Sequence, residues 1–214
     1  CLVRVHNPER RGDRLDRFTA LKAERTGTTA SGIELGPLGT FTLRVVQPVF
    51  AERTLVGYVE LGKEIHDVLD ALHSHSGSEM AVVIDKRQLR RQSWEEGMRV
   101  LGRQAEWDRF PRSVVSYATQ GRLPDAFAPW ADPVAGDPAH GEADLEIAFA
   151  RKDWRVSAAP LQDVSGAKVG HLLILRDVSA EKAAFLQLLA WGGTVGAVLL
   201  TLLLGYIYLL LRRT

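Results

Sequence analysis

The chain has 214 residues, 46% hydrophobic and 25% charged, which suits one or two globular domains. Of its 27 basic residues against 26 acidic ones, Arg212 and Arg213 close the chain. The rest is about neutral, so charge gives no argument for nucleic acid. The single cysteine, Cys1, excludes an intrachain disulfide, and a chain opening on it without Met reads as a fragment.

Alternation of apolar and polar residues predicts strands near 2 to 6, 31 to 35, 40 to 49 and 55 to 62. A helix is expected from 14 to 25, opened by Asp13 as its cap. Gly36-Pro37-Leu38-Gly39 makes a turn between the second and third strands. Residues 63 to 74 predict a connecting helix with Ile65, Val68, Leu69 and Leu72 on one stripe. Met80 to Ile84 begins a second set of strands, followed by a helix over 86 to 102. Further strands are expected near 113 to 118, 144 to 150, 154 to 162 and 168 to 177. Residues 124 to 143 hold four prolines and two glycines and read as a loop that serves as a lid. Ser179 caps a helix that runs without a break into the last segment, with Glu181 in its first turn.

That segment, residues 188 to 211, reads LLAWGGTVGAVLLTLLLGYIYLLL without a charge. At about 1.5 Å per residue it spans roughly 36 Å, enough for a hydrocarbon core of about 30 Å with some tilt. Trp191 near one end, with Tyr206 and Tyr208 near the other, suits the two interfaces. Gly192 and Gly196 form a G-x-x-x-G that permits close helix approach, and a homodimer is expected there. Arg212 and Arg213 directly follow, so the C-terminus is expected in the cytoplasm and residues 1 to 186 outside it. A cytoplasmic output domain is expected beyond Thr214.

Two stretches repeat: RVVQPVFAERTLVGYVELGKEIHD over 44 to 67 and RVSAAPLQDVSGAKVGHLLILRDVSAE over 155 to 181. Each predicts a β-hairpin followed by a helix, and Gly57 and Gly170 should be equivalent positions, as should Pro48 and Pro160. The expected boundaries are a membrane-distal domain over 1–62, a linker helix over 63–78, a membrane-proximal domain over 79–178, and a signalling helix over 179–214.

Several runs carry a likeness to a known family. They are Leu2-Val3-Arg4-Val5-His6-Asn7-Pro8-Glu9, Gly12-Asp13, Gly32-Ile33-Glu34-Leu35-Gly36, Val56-Gly57-Tyr58-Val59-Glu60-Leu61-Gly62 and Trp94-Glu95-Glu96-Gly97. With this organisation the chain resembles the double Cache sensor regions of chemoreceptors, sensor histidine kinases and diguanylate cyclases, over nearly all of residues 1 to 182. The resemblance implies an α+β fold of two tandem PAS-like, Cache antiparallel-sheet domains with flanking helices, then one transmembrane helix. It also implies that a first membrane span, a long helix and the opening strand of the distal sheet are missing in front.

Strand parity groups the polar residues of the distal sheet on one face. Arg4, His6, Arg44, Tyr58 and Glu60 are the candidate ligand-binding residues, facing a common cavity. Arg44 and Arg4 would grip a small anionic metabolite, because a guanidinium pairs well with carboxylate or phosphate. A solvated face carrying an Arg44–Glu60 cross-strand pair explains the same pattern. Trp94, Trp107, Phe110, Tyr117 and Trp154 could stack a ligand in the proximal domain but fit a core better. His66, His73 and His75 lack metal-like spacing to a carboxylate or thiol, and Arg11-Gly12-Asp13 is a chance tripeptide before a turn. No metal and no cofactor are expected. There is no G-x-S-x-G elbow, phosphate loop or His-Glu-x-x-His, so no catalytic residue is assigned and the chain is not expected to be an enzyme. The reading is the extracytoplasmic ligand-sensing region of a transmembrane signalling receptor. Its rivals are a membrane-tethered scaffold or partner-binding module, and a membrane-anchored hydrolase.

Overall fold

The computed structural model describes residues 3–5, 8–9, 11–12, 14, 16–36, 38–132 and 145–213. It is α+β, with two antiparallel sheets and one long C-terminal helix. The first sheet has the order β1-β2-β3, from Ala30–Leu35, Phe41–Ala51 and Thr54–Glu64. The second has the order β5-β4-β8-β7-β6. Its strands are β4 Glu79–Asp85, β5 Ser113–Ala118, β6 Leu145–Phe149, β7 Lys152–Gln162 and β8 Lys168–Asp177. The hairpins expected from the repeat are β2–β3 and β7–β8, one in each sheet.

The helices are α1 Phe18–Thr26, α2 Ile65–Ser76, α3 Arg91–Val100, the short α4 Ala128–Ala131, and α5 Ser179–Arg213. Helix α1 begins later than the sequence suggests: Arg17 precedes it without a side-chain cap, and Asp13 lies outside the described residues. It ends at Gly27, whose φ of 63° a residue with a Cβ rarely adopts. The helix expected over 86 to 102 is interrupted. The Asp85 carboxylate accepts from Arg87 N–H at 2.9 Å and starts a 3-10 turn over Lys86–Gln88. The chain is extended at Leu89 and Arg90 before α3 begins. Leu89 faces the core, which explains the break: one continuous helix would not bring it there. No strand forms at residues 3 to 5, and most of the loop expected over 124 to 143 lies outside the described residues.

The chain divides into two compact units, one of residues 1–145 with 156–175, the other of residues 146–155 with 176–214. The first unit contains the three-stranded sheet, and its core is built on β4. Residues 80 to 84 of that strand are buried on both faces, as a near-continuous apolar run should be. Met80, Val82 and Ile84 pack with Trp94 and Met98 of α3, Leu69 of α2, Val114, Tyr117 and Val169. Phe41 of the first sheet joins this cluster, with Ile33 and Leu35 against it, so the two sheets share a core. Within the stripe expected on α2, Leu69 is buried and Ile65 packs on the core, whereas Val68 and Leu72 are exposed. The turn between β1 and β2 sits on α3: a Cβ built at Gly97 would lie 2.4 Å from the Leu38 carbonyl oxygen.

The second unit holds the start of α5. Ser179 is the first helical residue, and the Asp177 carboxylate accepts from its N–H at 3.0 Å. The Ser179 hydroxyl accepts from Asp153 N–H at 2.8 Å, and Val178 N–H donates to the Asp153 carbonyl at 2.8 Å. Lys182 Nζ lies 2.7 Å from Glu146 and 3.2 Å from Asp153. Lys152 pairs with Asp177 at 2.8 Å, and with the Ser179 hydrogen bonds it pulls the Asp177 carboxyl down to about 2. From there α5 runs 35 residues, with no side chain buried.

Candidate functional site

The candidate site lies on the face of the first sheet that carries the even-numbered residues of β2. Arg44 stands opposite Gly32 of β1 and Gly62 of β3, so neither directly opposed residue sets a side chain against it. Arg44 Nη1 donates to Glu60 Oε1 at 2.6 Å, and Arg44 Nε lies 3.3 Å from Glu34 Oε2. Arg17 also pairs with Glu60. Glu34 Oε1 accepts from Thr19 N–H, in the first turn of α1, at 2.6 Å. The Arg44 side chain is 11% exposed and that of Glu34 9%.

Two guanidiniums and two carboxylates thus meet, Arg44 and Glu34 nearly dry and Arg17 and Glu60 partly exposed. Removing water from Arg44 and Glu34 is costly, and mutual pairing offsets part of that cost. Satisfaction is incomplete. Among the described residues, Thr19 Oγ1 is buried without a hydrogen-bond partner, and Arg44 Nε faces Glu34 at ion-pair distance without forming an aligned hydrogen bond. A buried unsatisfied group costs about 1–3 kcal/mol, so an added partner for Thr19 Oγ1 would stabilise the fold.

Of the residues selected from sequence, the structure brings Arg44 and Glu60 together. Glu60 is opposite Val46 and therefore meets Arg44 diagonally. Tyr58, opposite Pro48, is one position further along the same face and 40% exposed. Arg4 is half-buried and outside both sheets, and His6 lies outside the described residues. Sequence reading missed Glu34, Arg17 and Thr19. Parity on β1 places Glu34 on the Arg44 face, which was a usable signal; nothing local marks Arg17.

The polar face is not open to solvent along its length. Helix α1 packs on the polar face, with Ala20 and Ala23 on Ala30 and Val46. The opposite face leaves Leu43, Val45, Val49, Val59 and Leu61 exposed. Small alanines let the helix sit close enough to cover Arg44, a contact that alternation along a strand does not encode.

The proximal aromatics are core. Trp94 and Trp107 pack with ring centroids 5.5 Å apart, and Trp94, Phe110, Tyr117 and Trp154 are buried. The Tyr117 hydroxyl donates to Asp70, and burial next to that carboxylate pushes its pKa up. A small cavity of about 20 Å³ lies between Glu106, Arg109, Phe110, Val115, Arg122 and Leu123. That is room for about one water. The Arg109 Nε beside it is buried without a partner among the described residues, while Nη1 is held by Glu106 at 3.0 Å.

Among the described residues, two antiparallel sheets with a charge cluster, followed by one helix apolar and long enough to cross a membrane, define an α+β module with a candidate membrane span. Residues 1–182 match the family described as a double sensory domain of two-component sensor kinases, and the chain belongs to this double Cache family. A comparison with curated proteins found no match.

Proposed function

We propose that the two sheets are the tandem sensor domains of an inner-membrane receptor. A small anionic metabolite binds at the Arg44 cluster, and α5 relays its presence to a cytoplasmic output domain. The chain itself performs no catalysis. The observation that carries the binding reading is the partly buried, incompletely satisfied Arg44–Glu34–Glu60–Arg17 group in a chain of a sensory family. Both guanidiniums already face carboxylates, so an anionic ligand would take the place of Glu60 against Arg44 rather than fill an empty charge site. A ligand bound only to the native state at a hundred times its Kd adds about 2.7 kcal/mol of stability. For a chain of this size that is a rise of roughly 5 to 10 °C in unfolding temperature. Screening carboxylate and phosphate metabolites should find such a rise, and Arg44→Ala should abolish it while leaving a cooperative unfolding transition. An undiminished rise in Arg44→Ala would move the ligand to another site.

The two arginines after the span support a cytoplasmic C-terminus and periplasmic sheets. A reporter active only in the cytoplasm should work when fused after Thr214, and activity of a periplasm-only reporter there would reverse the orientation. The receptor acts as a homodimer with its α5 helices packed at Gly192 and Gly196, where an added Cβ would meet nothing within 4 Å. A second reading, a tethered partner-binding module without a small ligand, has its own support in the exposed apolar face of Leu43, Val45, Val49, Val59 and Leu61.

A further inference from the structure

We infer that the tip of the β7–β8 hairpin is a movable wall of the Arg44 site, and that this wall reports the state of the site to α5. The inference rests on the binding reading above for its purpose, but its geometry stands apart from any ligand. Gly32 is directly opposite Arg44 in the β1–β2 pairing, and directly opposed residues share a face. A Cβ built on Gly32 would lie 2.2 Å from Val164 Cγ2. The isopropyl group of Val164 therefore fills the side-chain slot that Gly32 leaves open on the β1 side of Arg44, while the guanidinium reaches Gly62 on the β3 side. Val164 N–H also donates to the Ile33 carbonyl at 2.8 Å, which ties the tip to β1.

The tip is preformed. Asp163 Oδ1 accepts from the N–H groups of Ser165 at 2.9 Å and Ala167 at 3.2 Å. Asp163 N–H donates to the Ala167 carbonyl at 3.0 Å, and Gly166 supplies the left-handed turn at φ 87°. Residues 163 to 167 thus move as one piece. The pairing of β8 with β4 runs from Leu175 to Gly170, Val169 and Leu161 pack on the core, and the tip over 163 to 167 extends past the end of β4. Gly170 is pressed against β4, where a Cβ would lie 2.0 Å from the Val83 carbonyl oxygen. Beyond Gly170 the strand is continuous to Asp177, so the tip and the foot of α5 lie on one extended stretch of chain. That strand is β8, which ends at Asp177, two residues before α5.

A group entering on the Gly32 side of Arg44 must share space with Val164. Displacing Val164 breaks its bond to Ile33 and lifts the tip, and the strand leading to α5 is the one disturbed. The receptor then needs no separate messenger between the site and the membrane helix.

Amide hydrogen exchange on the whole chain in lipid nanodiscs tests this without any ligand. In Gly32→Ala the new methyl evicts Val164, and exchange at the Val164 amide should rise at least tenfold. Exchange at Val178 and Ser179 should rise with it, by a smaller factor. Val164→Gly, which empties the slot without adding bulk, should give the same pattern if Gly32→Ala does not fold. Arg44→Ala should raise exchange across 163 to 167 several-fold, and Glu52→Ala, in the turn at the far end of β2, should leave it unchanged. Unchanged Val164 exchange in both tip variants overturns the contact. A rise at Val164 with none at Val178 and Ser179 overturns the relay. Failure of the thermal-shift screen, with these exchange patterns intact, would overturn the ligand and leave the coupling standing.

Discussion

Replacing Gly170 with alanine is expected to lower the unfolding temperature by roughly 10 °C. The added carbon would sit 2.0 Å from the Val83 carbonyl oxygen and 3.0 Å from Ile84 Cα, both backbone atoms of β4. A flexible side chain could swing away from such a contact, but a backbone oxygen in the middle of a sheet cannot. Either β8 separates from β4 or β4 shifts into a core where Val83 and Ile84 are completely buried. Overpacking of this kind costs about 1–3 kcal/mol, and a backbone collision belongs at the upper end. At about 2–4 °C per kcal/mol the upper end gives the stated loss. Gly57→Ala is the control. Its new methyl would meet nothing within 4 Å, so stability should hold or rise by about 0.4–1 kcal/mol through the unfolded chain. Calorimetry or circular dichroism on both variants decides the matter, and a Gly170→Ala protein melting within 2 or so degrees of the parent would refute the close approach.

Inserting Gly-Gly-Ser-Gly after Lys182 is expected to abolish ligand-dependent output while leaving ligand affinity unchanged. The first turn of α5 is held by several contacts: Asp177 to Ser179, Asp153 to Ser179, and Lys182 to both Glu146 and Asp153. No glycine or proline follows until Gly192, so this anchored turn and the apolar span form one stiff helix about 50 Å long. Each inserted glycine costs about 1 kcal/mol of helix propensity, and together they turn the rod into a tether. A rod can carry a displacement or rotation between two states that the ligand binds with different affinity, and a tether absorbs it. Output would be measured in the receptor that carries this region. If output still follows ligand after the insertion, transmission does not depend on a continuous helix.

The hairpins and most strands were legible because each is a local pattern: alternating residues, a polar turn, a second alternating run. The α5 span was legible because nothing but length and apolarity is needed to recognise it. Helix starts were less so. Asp13 looked like a cap, yet α1 begins only at Phe18, and Leu89 divides the α3 region because the core needs it there. Gly57 and Gly170 occupy like places in the repeat but for different reasons: β8 has β4 pressed against it, whereas nothing approaches Gly57. The site was half legible. Parity grouped Arg44 with Glu60, but parity cannot say what covers a face, and α1 covers the polar one. Val164 against Gly32 joins residues 132 positions apart, for which a single sequence carries no signal.

The ion pair at the foot of α5 also sets how far acid must go before Asp177 loses its charge. Asp177 keeps its charge down to about pH 2, against 3.8 for an ordinary aspartate, chiefly because Lys152 pairs with it. A carboxylate held below its unfolded value contributes stability that is complete above about pH 4 and fades as pH falls through about 2. Environmental acidity down to about pH 3 therefore leaves the Asp177 part of the joint closed.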